Sequence, residues 1–226
     1  MNRSALNPHI MILTGEPSGD MHAGHLVKEI NNAQKGLRIS GIGGPALKQE
    51  NVALFFPIEK LSVMGGTELF SQLGHLKKAF DLFKKKLAQD RPDLIILVDF
   101  PGFNLKAAQY AKERYNIKTM YFIPPKVWAW KPGRIKKIRQ FVDHTALILP
   151  FEEKLYKKKK IACTYVGNPL IDHYPEALLS DSNSRAAASS DRKKMVIGLL
   201  PGSRKMEVSS LGPIMAESAQ FIIKEL

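Results

Sequence analysis

Cysteine is nearly absent from this chain. Cys163 stands alone among 226 residues, which excludes an intrachain disulfide and makes a reducing compartment the natural reading. Acidic residues are scarce beside basic ones: 21 Asp and Glu against 34 Lys and Arg, a net charge of +13. That imbalance draws the chain toward anions, whether nucleic acid, an acidic membrane surface or phosphorylated substrates, and composition does not choose among them. Lysines that merely solubilise the surface are the plainer alternative. No apolar run reaches the ~18 residues of a membrane span, and "MNRSALNPHIMILTG" carries no signal-peptide cleavage pattern. The cytosol is therefore the expected setting. A GxGxxG fingerprint is missing as well. His22 and His25 are spaced i, i+3 with Asp20 nearby, but no further carboxylate or cysteine cluster joins them as metal ligands. Neither a metal nor a cofactor is expected, and Cys163, with no histidine pattern around it, reads as inert core.

What is present is a 44% hydrophobic chain, enough to bury a substantial core. Apolar runs alternate with helical patterns. Strands are expected at 9–15, 38–44, 93–100, 118–123, 144–150 and 162–167, and helices at 22–31, 69–87, 105–115 and 132–142. "DLIILVDF" is the clearest strand, a continuous Leu/Ile/Val run suited to a parallel strand covered on both faces. The alternation implies an α/β fold, a Rossmann-like doubly wound parallel sheet, over residues 1–175. Residues 176–194, "EALLSDSNSRAAASSDRKK", are rich in Ser, Ala and charge and read as a linker. Residues 195–226 then hold one strand, "MVIGLL", a loop and a helix. A single βα unit of this size cannot form its own core, so the chain reads as a larger protein cut short.

In such sheets ligands bind where strand carboxyl ends lead into helix N-termini. Four loops qualify. "GEPSGD" brings Glu16, Ser18 and Asp20 between Gly15 and Gly19, whose small size allows a tight turn and a close approach to a bound molecule. Ser18 or Asp20 as a helix cap is the plainer reading, whereas Glu16 precedes Pro17 too early to cap well. "VDFPGFNL" ends a wholly apolar strand on Asp99, a carboxylate that is costly there unless used or paired. "PPKVWAWKPGR" sets two tryptophans beside Lys126, Lys131 and Arg134, able to stack or clamp a sugar or phosphate or simply to pack. "LLPGSRKMEV" offers Gly202, Ser203 and Arg204 as a diphosphate seat.

Residues 69–87 place Leu69, Leu73, Leu76, Phe80, Phe83 and Leu87 on one helix face, with Lys77, Lys78, Lys84, Lys85 and Lys86 over much of the rest. Packing against the sheet explains the stripe; a helix lying on an anionic bilayer is the sharper alternative. Aromatics are not interleaved with the lysine runs, which argues against nucleic acid.

Taken together, "GEPSGD", "VMGGTEL", "VDFPGFNL", "VWAW", "LPFEEKLY", "YVGNPLID" and "LLPGSR" occur in the order and spacing of lipid-A-disaccharide synthases. The chain resembles the N-terminal domain of that family plus the first unit of its C-terminal domain. The resemblance implies the N-terminal half of a GT-B glycosyltransferase that joins UDP-2,3-diacylglucosamine to 2,3-diacylglucosamine 1-phosphate in lipid A biosynthesis, without a metal. Within it, Asp99 is the candidate base, with Glu16 or His22 as its alternate. Gly15, Ser18, Gly19, Asp20, Glu68 and Asn104 would lie on the acceptor side, and Gly202, Ser203 and Arg204 would hold the donor diphosphate. It further implies a peripheral protein on the cytoplasmic face of the inner membrane and leaves a homodimer open. Gly102 stands where many relatives carry a second acidic residue, and Pro124 and Lys126 also depart from the family pattern. This span alone is expected to show little transfer. A non-catalytic membrane-docking module and another sugar-nucleotide GT-B enzyme or epimerase are the competing readings.

Overall fold

Seven strands form one parallel sheet in the order β3-β2-β1-β4-β5-β6-β7. The computed structural model describes residues 7–61, 69–173, 197–202 and 205–225. The strands are β1 (His9–Leu13), β2 (Arg38–Gly43), β3 (Ala53–Pro57), β4 (Leu94–Val98), β5 (Lys118–Phe122), β6 (His144–Leu147) and β7 (Cys163–Tyr165). Between them run α1 (Pro17–Ala33), α2 (Pro45–Gln49), α3 (Leu69–Asp90), α4 (Pro101–Tyr115), α5 (Arg134–Phe141) and α6 (Pro150–Lys158).

The strand side chains alternate between two cores, as the period of two requires. Met11, Leu13, Ile95 and Leu97 face one cluster with Phe83, Phe103, Ile138 and Tyr156. Ile12, Ile96 and Val98 face the other with Ala23, Val27 and Leu47. Helices α1 and α2 thus pack on one face, and α3 to α6 on the opposite one. The chain reverses between β3 and β4, so β1 and β4, neighbours in the sheet, flank the switch point where a doubly wound sheet opens a crevice at its carboxyl edge.

Propensity and periodicity account for most elements, and tertiary contacts adjust their ends. Helix α1 begins at Pro17, a residue suited to the first turn, well before the expected His22. Strand β3 and helices α2 and α6 have no counterpart in the sequence reading. The first two are five residues each, too short to show a period. In α3 the apolar stripe splits: Phe83 and Leu87 are core, whereas Leu73 is 59% exposed. Sheet packing therefore explains the C-terminal part of the stripe only.

The chain divides into units Met1–Pro169 and Leu170–Leu226, and the expected linker at 176–194 lies outside the described residues. In the second unit, α7 (Lys205–Glu225) is the long element. Residues 197–200 of the expected strand at 195–200 form no strand; a lone strand has no ladder partner among the described residues of its unit. Met206, Ile214, Phe221 and Ile223 are exposed on α7.

Asp143, just ahead of β6, ties three elements together. Its carboxylate accepts from Lys112 Nζ of α4 at 2.7 Å and from the Thr119 amide of β5 at 2.9 Å. Burial pushes its pKa up, but these donors outweigh it and hold the carboxyl below its usual 3.8. A depressed folded-state value means stability that is present at neutral pH and lost as pH falls through that value. Asp143→Asn is expected to cost about 1 kcal/mol at neutral pH. In thermal melts across pH, its deficit relative to the parent should close below about pH 4.

Candidate functional site at the sheet's carboxyl edge

The turn from β4 into α4 is the most strained backbone along this edge. Asp99 and Phe100 are consecutive left-handed residues, at φ 45° and 47°. Aspartate tolerates that region, but a bulky side chain there costs about 1–2 kcal/mol. The turn persists because the Asp99 carbonyl is clamped: the Tyr121 hydroxyl donates to it at 2.8 Å and Asn104 Nδ2 at 2.7 Å. The same amide group reaches the carbonyls of Val98 and Leu13 at 3.2 and 3.3 Å, bridging β4 to β1. Tyr121 is fully buried; burial, with the Asp99 carboxylate nearby, raises its pKa well above normal. It is therefore a neutral donor. Arg134 acts on that hydroxyl in the opposite sense.

Phe100 then lies over the first loop. A side chain on Gly15 would collide with the Phe100 ring, so the two loops that flank the switch point interlock. Gly19 is pressed against the Thr14 hydroxyl in the same way. Thr14 Oγ1 and the Asn104 amide oxygen are buried here without a hydrogen-bond partner, unspent polarity of a kind that calls for a functional explanation.

Four of the expected acceptor-side residues have packing or hydrogen-bonding duties of their own. The small size of Gly15 and Gly19 makes room for the Phe100 ring and the Thr14 hydroxyl. Asp20 is only 3% exposed, with Oδ1 accepting from Gly44 N at 2.7 Å and Oδ2 from Ala46 N at 2.8 Å. It holds the start of α2, whose first amides lack intrahelical partners. Asn104 is buried and braces the Asp99 turn. Glu16, half-buried, is the N-cap residue of α1 by position but makes no side-chain cap bond. Ser18 is exposed. Glu16 and Ser18 on the first loop and the half-buried Asp99 on the second are polar side chains that flank the switch point. Glu68, Ser203 and Arg204 lie outside the described residues; Gly202, in the second unit, has φ 108° and would meet the Glu207 side chain if it carried a Cβ.

Sequence reasoning missed Tyr121. In "KTMYFI" it reads as one more strand residue, and only the neighbouring strand shows what its hydroxyl holds. Past β5 the backbone turns left-handed again at Ile123, φ 57°, and enters the tryptophan loop. Val127 is buried, but Trp128 and Trp130 are not core: they are 49% and 66% exposed.

A family model described as lipid-A-disaccharide synthetase matches residues 10–226. Among curated proteins, lipid-A-disaccharide synthase of Geobacter metallireducens is 39% identical over 97% of this chain and 56% of its own length. The Coxiella burnetii enzyme is 36% identical over 96% of this chain and 57% of its own length. The chain thus spans little more than half the length of these relatives. Among solved structures, a UDP-N-acetylglucosamine 2-epimerase aligns with TM-score 0.55 at 13% identity, over 74% of this chain and 49% of that one. The Neisseria meningitidis UDP-GlcNAc 2-epimerase aligns with TM-score 0.51 at 10% identity, over 83% and 53%. At such identities the likeness is one of fold.

The role of Asp20 has a direct check. Asp20→Ala strands one buried and one half-buried amide, and the loss is expected to be about 2–3 kcal/mol, lowering Tm by roughly 5–10 °C. Asp20→Asn keeps one acceptor and should fall between. An unchanged melt for Asp20→Ala would return this carboxylate to the ligand-contacting group.

Proposed function

The chain belongs to the lipid-A-disaccharide synthetase family, whose model matches residues 10–226, and from that we propose that it forms the acceptor-side half of an inverting glycosyltransferase in lipid A biosynthesis. The acceptor is 2,3-diacylglucosamine 1-phosphate and the donor UDP-2,3-diacylglucosamine. In the transfer, Asp99 takes the proton from the acceptor's 6-hydroxyl as its oxygen attacks the donor's anomeric carbon on the face opposite the diphosphate. The bond to the diphosphate breaks and UDP leaves with the electron pair, giving a β-1,6-linked disaccharide 1-phosphate. A base for the hydroxyl and a cation with amides for the leaving diphosphate are what such a step needs; the second role falls to Gly202, Ser203 and Arg204.

The observation that supports this reading is the Asp99 turn. A backbone held in an unfavourable conformation by two buried side chains, at the switch point of the sheet, is strain of the kind that accompanies preorganised functional groups. Glu16, on the interlocked neighbouring loop, is the alternate base.

The same reading puts the protein on the cytoplasmic face of the inner membrane. No helix among the described residues is long and apolar enough to cross a membrane. Support for surface contact comes from α3, where the exposed Leu73 is followed by the exposed Lys77, Lys78 and Lys85, an apolar residue with cations suited to anionic headgroups.

Two measurements test these assignments. At the full length of its relatives, with both lipid substrates supplied, Asp99→Asn is expected to lower kcat by about 10²–10⁴ with an unchanged melting curve. Retained turnover would move the base to Glu16. Sedimentation with phosphatidylglycerol vesicles addresses the membrane. The variant Leu73→Ser, Lys77→Gln, Lys78→Gln should bind at least about tenfold more weakly, at roughly 1 kcal/mol per lysine; equal binding would remove α3 from the docking surface.

A further inference from the structure

Helix α6 grips the tryptophan loop from below while leaving its rings in solvent. Glu152, in the first turn of α6, is 2% exposed, and its Oε1 accepts the Trp128 indole N–H at 3.0 Å. One turn on, the buried Tyr156 hydroxyl donates to the Pro125 carbonyl at 3.4 Å. Phe151 stands edge-on to Trp128, centroids 5.1 Å apart at 76°, and Val127 plugs the loop into the core. Trp128 is nonetheless 49% exposed.

A carboxylate is costly to bury, and spending one on an indole that remains half in water makes little sense as core packing. It does make sense if the indole must be held at a fixed angle, since a rigid aromatic surface loses little freedom when a ligand stacks on it. The strand order supplies the location. Trp128 follows β5, Phe151 follows β6 and Asp99 follows β4, so the platform and the Asp99 turn lie on the same carboxyl edge of the sheet. The same loop carries cations: Lys126 and Lys131 are exposed, Lys131 Nζ sits 5.6 Å from the Trp130 centroid, and Arg134 begins α5.

We propose that Trp128 is a stacking platform for the pyranose ring of a phosphorylated sugar, with Glu152 the positioning residue that fixes the indole. A pyranose presents a face of C–H groups that suits the negative face of an aromatic ring, and the lysines and Arg134 answer the phosphate. The proposal rests on the acceptor reading above and names the acceptor's subsite within it.

Tryptophan count makes the test direct. The chain has two, so Trp130→Phe leaves Trp128 as the sole reporter. Its emission should shift saturably on titration with a short-chain diacylglucosamine 1-phosphate, and not with inorganic phosphate. Glu152→Ala in that background should abolish the response, and Glu152→Gln, whose amide oxygen still accepts the indole N–H, should restore it. At the full length of its relatives, Trp128→Ala should raise the acceptor KM about tenfold with kcat within about twofold.

No saturable shift in a folded Trp130→Phe protein would overturn the platform. So would an equal shift produced by phosphatidylglycerol vesicles without sugar, which would make the aromatics a membrane contact. Transfer with an unaltered acceptor KM in Trp128→Ala would sink the platform and leave the glycosyltransferase reading standing. Sugar-phosphate binding without transfer at full length would do the reverse.

Discussion

The Asp99 carbonyl is the point on which the carboxyl edge depends. It accepts the Tyr121 hydroxyl from one neighbouring strand and the Asn104 amide from its own helix, and that amide also touches the last carbonyl of β1. Three adjacent strands are therefore locked together at the end where the crevice opens. Without those donors the left-handed pair Asp99 and Phe100 would relax, Phe100 would leave Gly15, and the two switch-point loops would come apart.

This arrangement separates the framework of the site from its lining. Buried polar groups such as Asp20, Asn104, Tyr121 and Glu152 spend their hydrogen bonds on backbone or on another side chain, which is what burial demands of them. Exposed beside that framework, among the described residues, are Ser18, the two indoles and the lysines of the tryptophan loop, with Glu16 and Asp99 half-buried. A fold-level match to sugar-nucleotide epimerases says nothing about which chemistry those groups perform. Family membership over residues 10–226 and the placement of Asp99 are what give the site its reading.

Charge follows the same division. The excess of 34 basic over 21 acidic residues is spread over exposed helix faces and loops, whereas Asp143, Lys112 and the buried carboxylates do structural work inside the first unit. Helix α3 shows both uses within one element. Its C-terminal turns bury Phe83 and Leu87, and its lysines point away from that core.

Much of the fold was legible from hydrophobic runs, because parallel strands covered on both faces must be continuously apolar. "HIMIL" and "LIILV" could be placed for that reason, and their alternation with helical patterns implied the doubly wound sheet. β3 and α2 escaped because five residues show no period, and the β1–β4 adjacency that creates the switch point is a non-local pairing. The motif "GEPSGD" located the site region but not the roles within it. Whether a glycine admits a ligand or a phenylalanine ring, and whether Asp20 faces a cleft or the amides of Gly44 and Ala46, depends on residues some 20 to 90 positions away in the chain. Residue type and spacing set the strands, the helices and the candidate acids. Only the tertiary structure decided which polar atoms are consumed in holding the turns, since hydrogen-bond satisfaction is settled by neighbours in space.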